Sequence, residues 1–115
     1  MSASINASAQ NLSDYQWKNR ILLVFGNEKN EELIEKQRAI FNTQKNELKK
    51  RDLIIFVNPK SRGMVKLSNG ADFEVILIGK DGGVKKRKTE LMSINELFAI
   101  IDAMPMRQSE MKGNN

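Results

Sequence analysis

The chain has 115 residues, a formal net charge of +5, a hydrophobic fraction of 40%, and neither cysteine nor histidine. A chain of this length folds as one domain with a single core. The missing cysteine excludes disulfides, thiolate nucleophiles and zinc–thiolate sites, and the missing histidine removes the commonest neutral-pH general base, so we predict neither a metal nor a cofactor.

Both ends of the chain are polar. We expect a disordered tail over residues 1–11, one domain over 12–112 and a short tail over 113–115. The first segment, MSASINASAQN, lacks the basic start and apolar core of an export signal, so no intact signal peptide is expected here. No apolar run approaches the roughly 20 residues that a membrane span needs.

A helical turn and a buried strand are predicted first. Ser13 can cap a turn that lays Leu12 and Trp17 on the core. The segment 20–26 contains the unbroken apolar run ILLVF and stops at a glycine, which is typical of a strand buried on both faces. Asn27 then stands where a helix needs an N-cap.

A long helix and a second strand are predicted next. Between residues 28 and 50 apolar side chains recur at helical spacing, with glutamates near the start and basic residues at the end, as the helix dipole favours. Gln37 and Gln44 lie on the apolar face, and we predict that Gln37 is a buried structural group bonded to backbone near a strand end or loop. Residues 52–57 form a second strand, which the βαβ order makes parallel to the first.

The following segment is predicted to hold a loop and a hairpin. Residues 58–72 are rich in turn formers and indicate a loop, with a short strand at 64–67 that turns back at Asn69-Gly70. Strands at 73–78 and 84–88 flank a turn at 80–83.

The last predicted helix begins at a capping box formed by Ser93 and Glu96. Pro105 is expected to kink or end it, with a further turn over 106–112. The order β-α-β, then a β-hairpin, then α predicts a thioredoxin-like α/β fold, in which a mixed sheet carries helices on both faces.

Several motifs resemble one uncharacterised family. They are WKNRILLVF at 17–25, Gln37, RDL at 51–53, LIGKDGGVK at 77–85 and IDAMPMRQSEM at 101–111. The family is a thioredoxin-like, peroxiredoxin-related domain of small bacterial, often exported, proteins and of animal sushi-repeat-containing and "down-regulated by oncogenes" extracellular matrix proteins. The resemblance covers residues 12–111 and implies a thioredoxin-like fold, a periplasmic or extracellular location and an unknown molecular function.

The sequence leaves no group for thiol redox chemistry. In thioredoxin-like redox proteins the reactive cysteine follows the first strand, where a helix N-terminus lowers its pKa. Here residues 26–29 are Gly-Asn-Glu-Lys, and Ala71-Asp72 stands where a cis-proline usually faces that site. We therefore predict neither thiol redox nor peroxidase activity.

The segment GKDGGVKKRK at 79–88 has two interpretations. Glycines beside cations suggest a phosphate site, but a phosphate loop runs into a helix, whereas this segment lies between two strands, so a hairpin turn is favoured. Lys85, Lys86, Arg87 and Lys88 form a basic strip, which favours a solvated strand edge over a polyanion site. Nucleic acid is not the expected partner because no aromatic residues interleave with these cations.

The segment 101–111 also has two interpretations. Either Met104 and Met106 complete the core while Asp102, Arg107 and Glu110 fix the kink, or the segment forms a partner-binding corner; the first is favoured. If a site exists, we expect it near this corner and the 79–83 turn. The candidate residues are Lys80, Asp81, Lys85, Asp102, Arg107 and Glu110.

Three functions fit these observations. The favoured hypothesis is a redox-inactive binding domain whose partner is another protein. An enzyme that uses carboxylates and Lys/Arg near the 79–83 turn would need a pocket joining that turn to the 102–110 corner. Weak polyanion binding through residues 85–88 would fall steeply with salt.

Overall fold

A four-stranded mixed sheet forms the centre of the computed structural model, which describes residues 12–59, 68 and 70–113. Its strands are β1 (Arg20–Gly26), β2 (Leu53–Val57), β3 (Phe73–Ile78) and β4 (Val84–Lys88), in the order β2-β1-β3-β4. β1 pairs in parallel with β2 and antiparallel with β3, and β3 pairs antiparallel with β4. The predicted parallel βαβ pair and the predicted hairpin are confirmed.

The segment between β1 and β2 is helical but broken. A 3-10 turn at Glu28–Asn30 leads into α1 (Glu31–Asn42), and α2 (Lys45–Lys50) follows after two residues, so the prediction of one unbroken helix over 28–50 is wrong. Asn27 accepts a hydrogen bond from the Lys29 amide at 3.0 Å and caps the first turn, as predicted. The break comes where the Thr43 hydroxyl donates to the Ile40 carbonyl at 2.7 Å and competes with the helical pattern.

Two helices end the chain, α3 (Ile94–Asp102) and α4 (Pro105–Gly113). The Ser93 hydroxyl oxygen accepts from the Glu96 amide at 3.1 Å, which confirms the N-cap of the predicted capping box, whereas the Glu96 carboxylate pairs with Lys88. Pro105 is the first residue of α4, where a missing amide hydrogen costs nothing. Helix α3 therefore ends before Pro105, and the further turn predicted over 106–112 is part of a full helix, α4.

The strands bury both faces of the sheet. One face packs against α1, α2 and α3, and its central residues include Leu22, Val24, Val75 and Leu77. The other face, with Leu23 and Ile76 at its centre, packs against Leu12 and Tyr15 of the 3-10 helix Leu12–Tyr15. The Tyr15 ring lies 5.5 Å from that of Phe56. Helical segments therefore cover both faces, and β1 is buried on both sides as predicted.

Three side chains predicted on the core side lie at the surface. Trp17 is 62% exposed because the backbone reverses at this residue, with a φ of 70°. Met106 is 38% exposed, since the next residue of α4, Arg107, is the one that turns inward. Gln44 is exposed because it lies in the break between α1 and α2.

Parts of some predictions lie outside the described residues. They are the tail over 1–11, the short strand at 64–67, Asn69 of the Asn69-Gly70 turn, and residues 114–115. Among the described residues, no helix combines the length and the hydropathy needed to cross a bilayer.

Gln37 connects α1 to the segment before α3. Its side chain is fully buried; the amide nitrogen donates to the Met92 carbonyl and the amide oxygen accepts from the Met92 amide, each at 2.8 Å. One glutamine thus satisfies both backbone groups of a buried residue and fixes the spacing between α1 and α3.

Replacing Gln37 by Met keeps the volume of the side chain but leaves both backbone groups of Met92 buried without partners. We expect the free energy of unfolding to fall by about 2–4 kcal/mol, measured by urea denaturation. The control Gln44→Met, at an exposed position, should change it by less than about 0.5 kcal/mol. Equal effects of the two substitutions would contradict this role of Gln37.

Candidate functional site

Charged side chains close one end of the sheet. β1 and β2 begin at this end and β3 ends there, so Arg20, Asp52 and Lys80 are neighbours. The Arg20 amide donates to the Asp52 carbonyl at 2.9 Å, and Lys80 Nζ donates to the Asp52 carboxylate at 2.8 Å. α4 brings Arg107 and Glu110 to the same end.

Glu110 joins α4 to the sheet. Arg20 Nη1 and Nη2 each donate to one oxygen of the Glu110 carboxylate at 3.2 Å, and Lys80 Nζ donates to Glu110 Oε2 at 2.7 Å. Arg20 Nη1 also donates to the Arg51 carbonyl at 2.9 Å. Because the Arg20 side chain is only 1% exposed, its charge relies on these partners rather than on water.

Asp102, the last residue of α3, is the second junction. Arg51 Nε and Nη2 donate to its two oxygens at 3.0 and 2.8 Å, and Arg107 Nε donates to Oδ1 at 3.3 Å. The Arg51 guanidinium lies over the Phe98 ring, 3.8 Å from its centroid, and donates to Glu47 Oε1 at 3.1 Å. Asp102 thus connects α2, α3 and α4.

The two junctions form one group, which we call the end network. They are linked by Arg107 Nη1, which lies 3.7 Å from Glu110 Oε1. The network pairs the cations Arg20, Arg51, Lys80 and Arg107 with the carboxylates Glu47, Asp52, Asp102 and Glu110, and Lys50 adds an exposed cation beside Glu47. Each of the four buried or half-buried cations lies beside a carboxylate, so this geometry braces α4 against the sheet.

The ionisation of the network follows from these contacts. Burial alone would raise the pKa of Glu110, but hydrogen bonds from Lys80 and Arg20 outweigh it and hold that pKa below the usual value. For Asp102, burial is likewise outweighed by Arg51 and Arg107, and its pKa is lowered. The pKa of Lys80 is raised, because its bonds to Asp52 and Glu110 outweigh burial. These groups stay charged at neutral pH, which does not suit general acid–base catalysis.

The structure brings four of the six candidate residues together. Lys80 contacts Glu110 directly, and Asp102 and Arg107 belong to the same network. The 79–83 turn and the 102–110 corner therefore meet through the ion pair between Lys80 and Glu110.

Asp81, on the exposed hairpin turn, and Lys85, in β4, lie apart from the network. Asp81 accepts from Lys85 Nζ at 2.7 Å and from the Gly83 amide at 2.9 Å, and the Lys85 bond is the main reason that the pKa of Asp81 is lowered. Gly82 has a φ of 88° and supplies the positive φ predicted for the turn. The segment is a hairpin turn, as expected.

Sequence reasoning missed half of the network. Arg20, Arg51, Asp52 and Glu47 were not among the candidate residues. The sequence did contain a pattern that indicates Arg20 and Asp52, because each stands directly before an apolar run. A charged residue next to a buried strand needs a partner of opposite charge.

The basic strip is largely neutralised. Lys85 pairs with Asp81 at 2.7 Å, Arg87 lies 3.5 Å from Glu74, and Lys88 pairs with Glu96 at 2.6 Å. Within the described residues, Lys86 has no carboxylate partner. The strip therefore presents much less free positive charge than its sequence suggests.

Amide and carboxylate groups close the opposite end of the sheet, where β1 runs into α1. The Asn27 side chain donates to Asp72 Oδ1 at 3.2 Å, and the Asn30 side chain donates to Asn27 Oδ1 at 2.9 Å and to the Asp72 carbonyl at 3.0 Å. No cis peptide bond occurs in the described part of the chain. After β1, where we expected a thioredoxin-like redox protein to carry its reactive cysteine, this chain has a set of hydrogen-bonded amides.

A cavity of about 200 Å³ lies beside these amides, lined in part by Phe25, Asn58, Phe73 and Glu74. Glu74 is buried, and its carboxylate accepts from the Ser68 amide at 2.9 Å and the Ser68 hydroxyl at 2.6 Å. Its hydrogen bonds are therefore directed to the protein, and they hold residue 68 against the sheet.

Residues 11–66 and 59–110 match the family model described as a domain of unknown function, DUF4174. The chain belongs to this family. Among solved structures, the mitochondrial 2-Cys peroxiredoxin from Plasmodium falciparum matches with a TM-score of 0.59 and 13% identity, over 89% of this chain and 83% of that chain. Identity this low shows the fold alone, and the predicted thioredoxin-like fold is confirmed. A comparison with curated proteins gave no match.

The end network contains seven of the ten charged residues of the motifs in this DUF4174 domain, whereas Lys18, Asp81 and Lys85 lie outside it. Arg20 belongs to the motif at 17–25, Arg51 and Asp52 to that at 51–53, and Lys80 to that at 77–85. The motif at 101–111 supplies Asp102, Arg107 and Glu110. Segments that resemble a functional signature in the sequence thus meet as a brace in the fold.

The lowered pKa values of Glu110 and Asp102 predict acid sensitivity. The usual values are 4.5 and 3.8, respectively. A carboxylate whose pKa is lower in the folded state stabilises the fold fully above its unfolded-state pKa, and that contribution is lost as pH falls through the folded-state pKa. Since the chain has no histidine, the free energy of unfolding should be flat from about pH 6 to 8 and fall below about pH 4.5, as measured by urea titrations.

The matched variants are Glu110→Gln, in the network, and Glu90→Gln, at an exposed position. The first should be less stable at neutral pH and lose less stability on acidification, whereas the second should follow the unmodified chain. Identical acid profiles for Glu110→Gln and the unmodified chain would show that Glu110 contributes no such linkage.

Proposed function

We propose that this DUF4174 domain is a redox-inactive thioredoxin-like module that acts by binding another protein outside the cytoplasm. The observation that carries the proposal is the absence of cysteine and histidine from a chain with a thioredoxin-like fold. The fold is kept while its usual nucleophile is missing, and Asn27 and Asn30 take up hydrogen bonds at that end of the sheet.

An exposed aromatic residue supports a binding role. Trp17 is the single tryptophan of the chain and is 62% exposed. Tryptophan is among the residues most enriched at the energetic centres of protein interfaces. The location outside the cytoplasm rests on the motifs that resemble exported bacterial proteins and animal matrix proteins.

The other two functions have less support. An enzyme at the 79–83 turn would need free catalytic groups, but Lys80 is engaged by Asp52 and Glu110. A polyanion site on β4 would need several free cations, but Lys85, Arg87 and Lys88 lie beside carboxylates.

Two measurements on the purified chain test the proposal. Peroxide reduction and disulfide reduction by the chain are each assayed. A thioredoxin system and a 2-Cys peroxiredoxin serve as positive controls. We expect the chain to give no turnover above the buffer alone. Photo-crosslinking in an extract of the native host is then used to capture a partner, which is purified and titrated against the chain.

We expect a saturable complex with the purified partner that persists at moderate salt. Peroxide-dependent turnover by the pure chain would contradict redox inactivity. Capture of nucleic acid or heparin alone, with affinity falling steeply as salt rises, would favour the polyanion function instead.

A further inference from the structure

The side chains of β4 are mostly exposed, unlike those of the other three strands. β4 is last in the sheet order, and its side chains from Val84 to Arg87 are exposed, whereas β1, β2 and β3 are mainly buried. Among the described residues, β3 is its one neighbouring strand. No strand among the described residues covers its outer edge, and the backbone donors and acceptors of such an edge are groups on which an extended chain can add.

The charge of this edge selects what can pair with it. Lys86 has no carboxylate partner among the described residues, and the paired cations Lys85 and Lys88 flank it on the same strand. A second copy of β4 would bring like charges into opposition, which destabilises a strand pair. An acidic strand would instead place a carboxylate opposite Lys86.

Trp17 stands at the end of the hairpin that leads into β4. The Trp17 amide donates to the Lys80 carbonyl at 2.6 Å, and the Gln16 side chain donates to the Asp81 carbonyl at 2.9 Å, so the residue is fixed to the 79–83 turn. Its φ of 70° is uncommon for a residue with a side chain and is maintained by these bonds. The backbone that carries the indole is thus fixed, so no backbone entropy has to be lost there on binding.

Apolar and basic groups accompany Trp17 at this end of β4. Val84, the first residue of the strand, is 42% exposed, and Lys18 is exposed beside Trp17 in the chain. One exposed apolar residue is thus bonded to the 79–83 turn and another follows that turn, next to the cations of β4.

We propose that β4 and Trp17 form the docking surface for an acidic, extended segment of a partner protein, which adds a fifth strand along the outer edge of β4. In this arrangement a carboxylate of the segment faces Lys86, and its apolar residues meet Val84 and Trp17. The inference rests on the proposed protein-binding function and specifies where and what the domain binds.

The experiment uses the full chain and a defined probe, a soluble peptide with the order Glu-Val-Glu-Thr-Glu-Val-Glu. Binding is followed by the fluorescence of Trp17, the single tryptophan, and by the amide shifts of the ¹⁵N-labelled chain. We expect a blue shift of the fluorescence and saturable amide shifts concentrated in residues 84–88. The same peptide with Lys in place of Glu should bind at least about fivefold more weakly, because like charges then oppose one another.

Variants locate the surface. Lys86→Glu should raise the Kd of the acidic peptide about fivefold or more, whereas Lys112→Glu, the same charge change on α4, should leave it nearly unchanged. Trp17→Ala, followed by amide shifts, should also weaken binding, and its unfolding midpoint is measured to show that it folds. Equal weakening by Lys86→Glu and Lys112→Glu would overturn the proposal, since it would indicate a general charge effect.

Further results would also show that β4 and Trp17 are not the docking surface. Amide shifts outside β4, equal binding of the two peptides, tighter binding of single-stranded DNA to the same residues, or dimerisation through β4 in sedimentation would each overturn this surface. If the crosslinked partner binds the Lys86→Glu and Trp17→Ala variants as well as it binds the unmodified chain, the docking surface is wrong while the protein-binding function stands. If no protein partner binds the unmodified chain, the proposed function itself fails.

Discussion

The buried guanidinium of Arg20 imposes the strongest constraint on this molecule. It stands at the first position of the central strand with almost no access to water, and a charge in that place is stable only with close, well-oriented partners. Its carboxylate partner, Glu110, comes from the last helix, 90 residues further along the chain. The docking of α4 is therefore tied to the solvation of a charge at the start of β1.

The rest of the end network extends the same logic. Lys80 shares the Glu110 carboxylate with Arg20, and Asp52 gives Lys80 a second carboxylate. Arg51 and Arg107 share Asp102, and Arg51 also packs on Phe98, so apolar contact supplements the ion pairs. Charges that would be costly singly are stabilised together, and the turn, the strand ends and the terminal helices are fixed in one arrangement.

The two ends of the sheet have taken different roles in this thioredoxin-like fold. At the end where a redox protein would place its cysteine, Asn27, Asn30 and Asp72 bond one another. At the other end the network holds the C-terminal helices. Neither end offers a free reactive group among these side chains, whereas β4 and Trp17 are exposed to solvent.

Much of the fold could be predicted from the sequence because it rests on local patterns. Unbroken apolar runs marked β1 and β2, Gly82 marked the hairpin turn, and Ser93 marked the start of α3. The break in the first helix was missed, because periodicity continues across Thr43 although the backbone does not. Whether the Trp17 side chain is buried or exposed depends on a backbone bond to Lys80, which is distant in the sequence, so no local pattern could predict it.

The candidate site was predictable in part for the same reason. Lys80, Asp102, Arg107 and Glu110 stood out as charges in unusual motifs, and they do meet in the structure. Asp81 and Lys85 stood out equally, but they pair with each other across a turn. Which charges meet is decided by topology, since β1, β2, β3 and α4 converge at one end of the sheet.

A double-mutant cycle between Arg20 and Glu110 tests most directly whether the network is the brace described. The free energies of unfolding of Arg20→Met, Glu110→Gln and the double variant are measured by urea denaturation at neutral pH. If the network is this brace, Glu110→Gln alone should lower the free energy of unfolding by about 3 kcal/mol, because it leaves Arg20 buried without its carboxylate. The double variant should then lose at least about 2 kcal/mol less than the sum of the two single losses. Additive losses, with a coupling energy near zero, would contradict it.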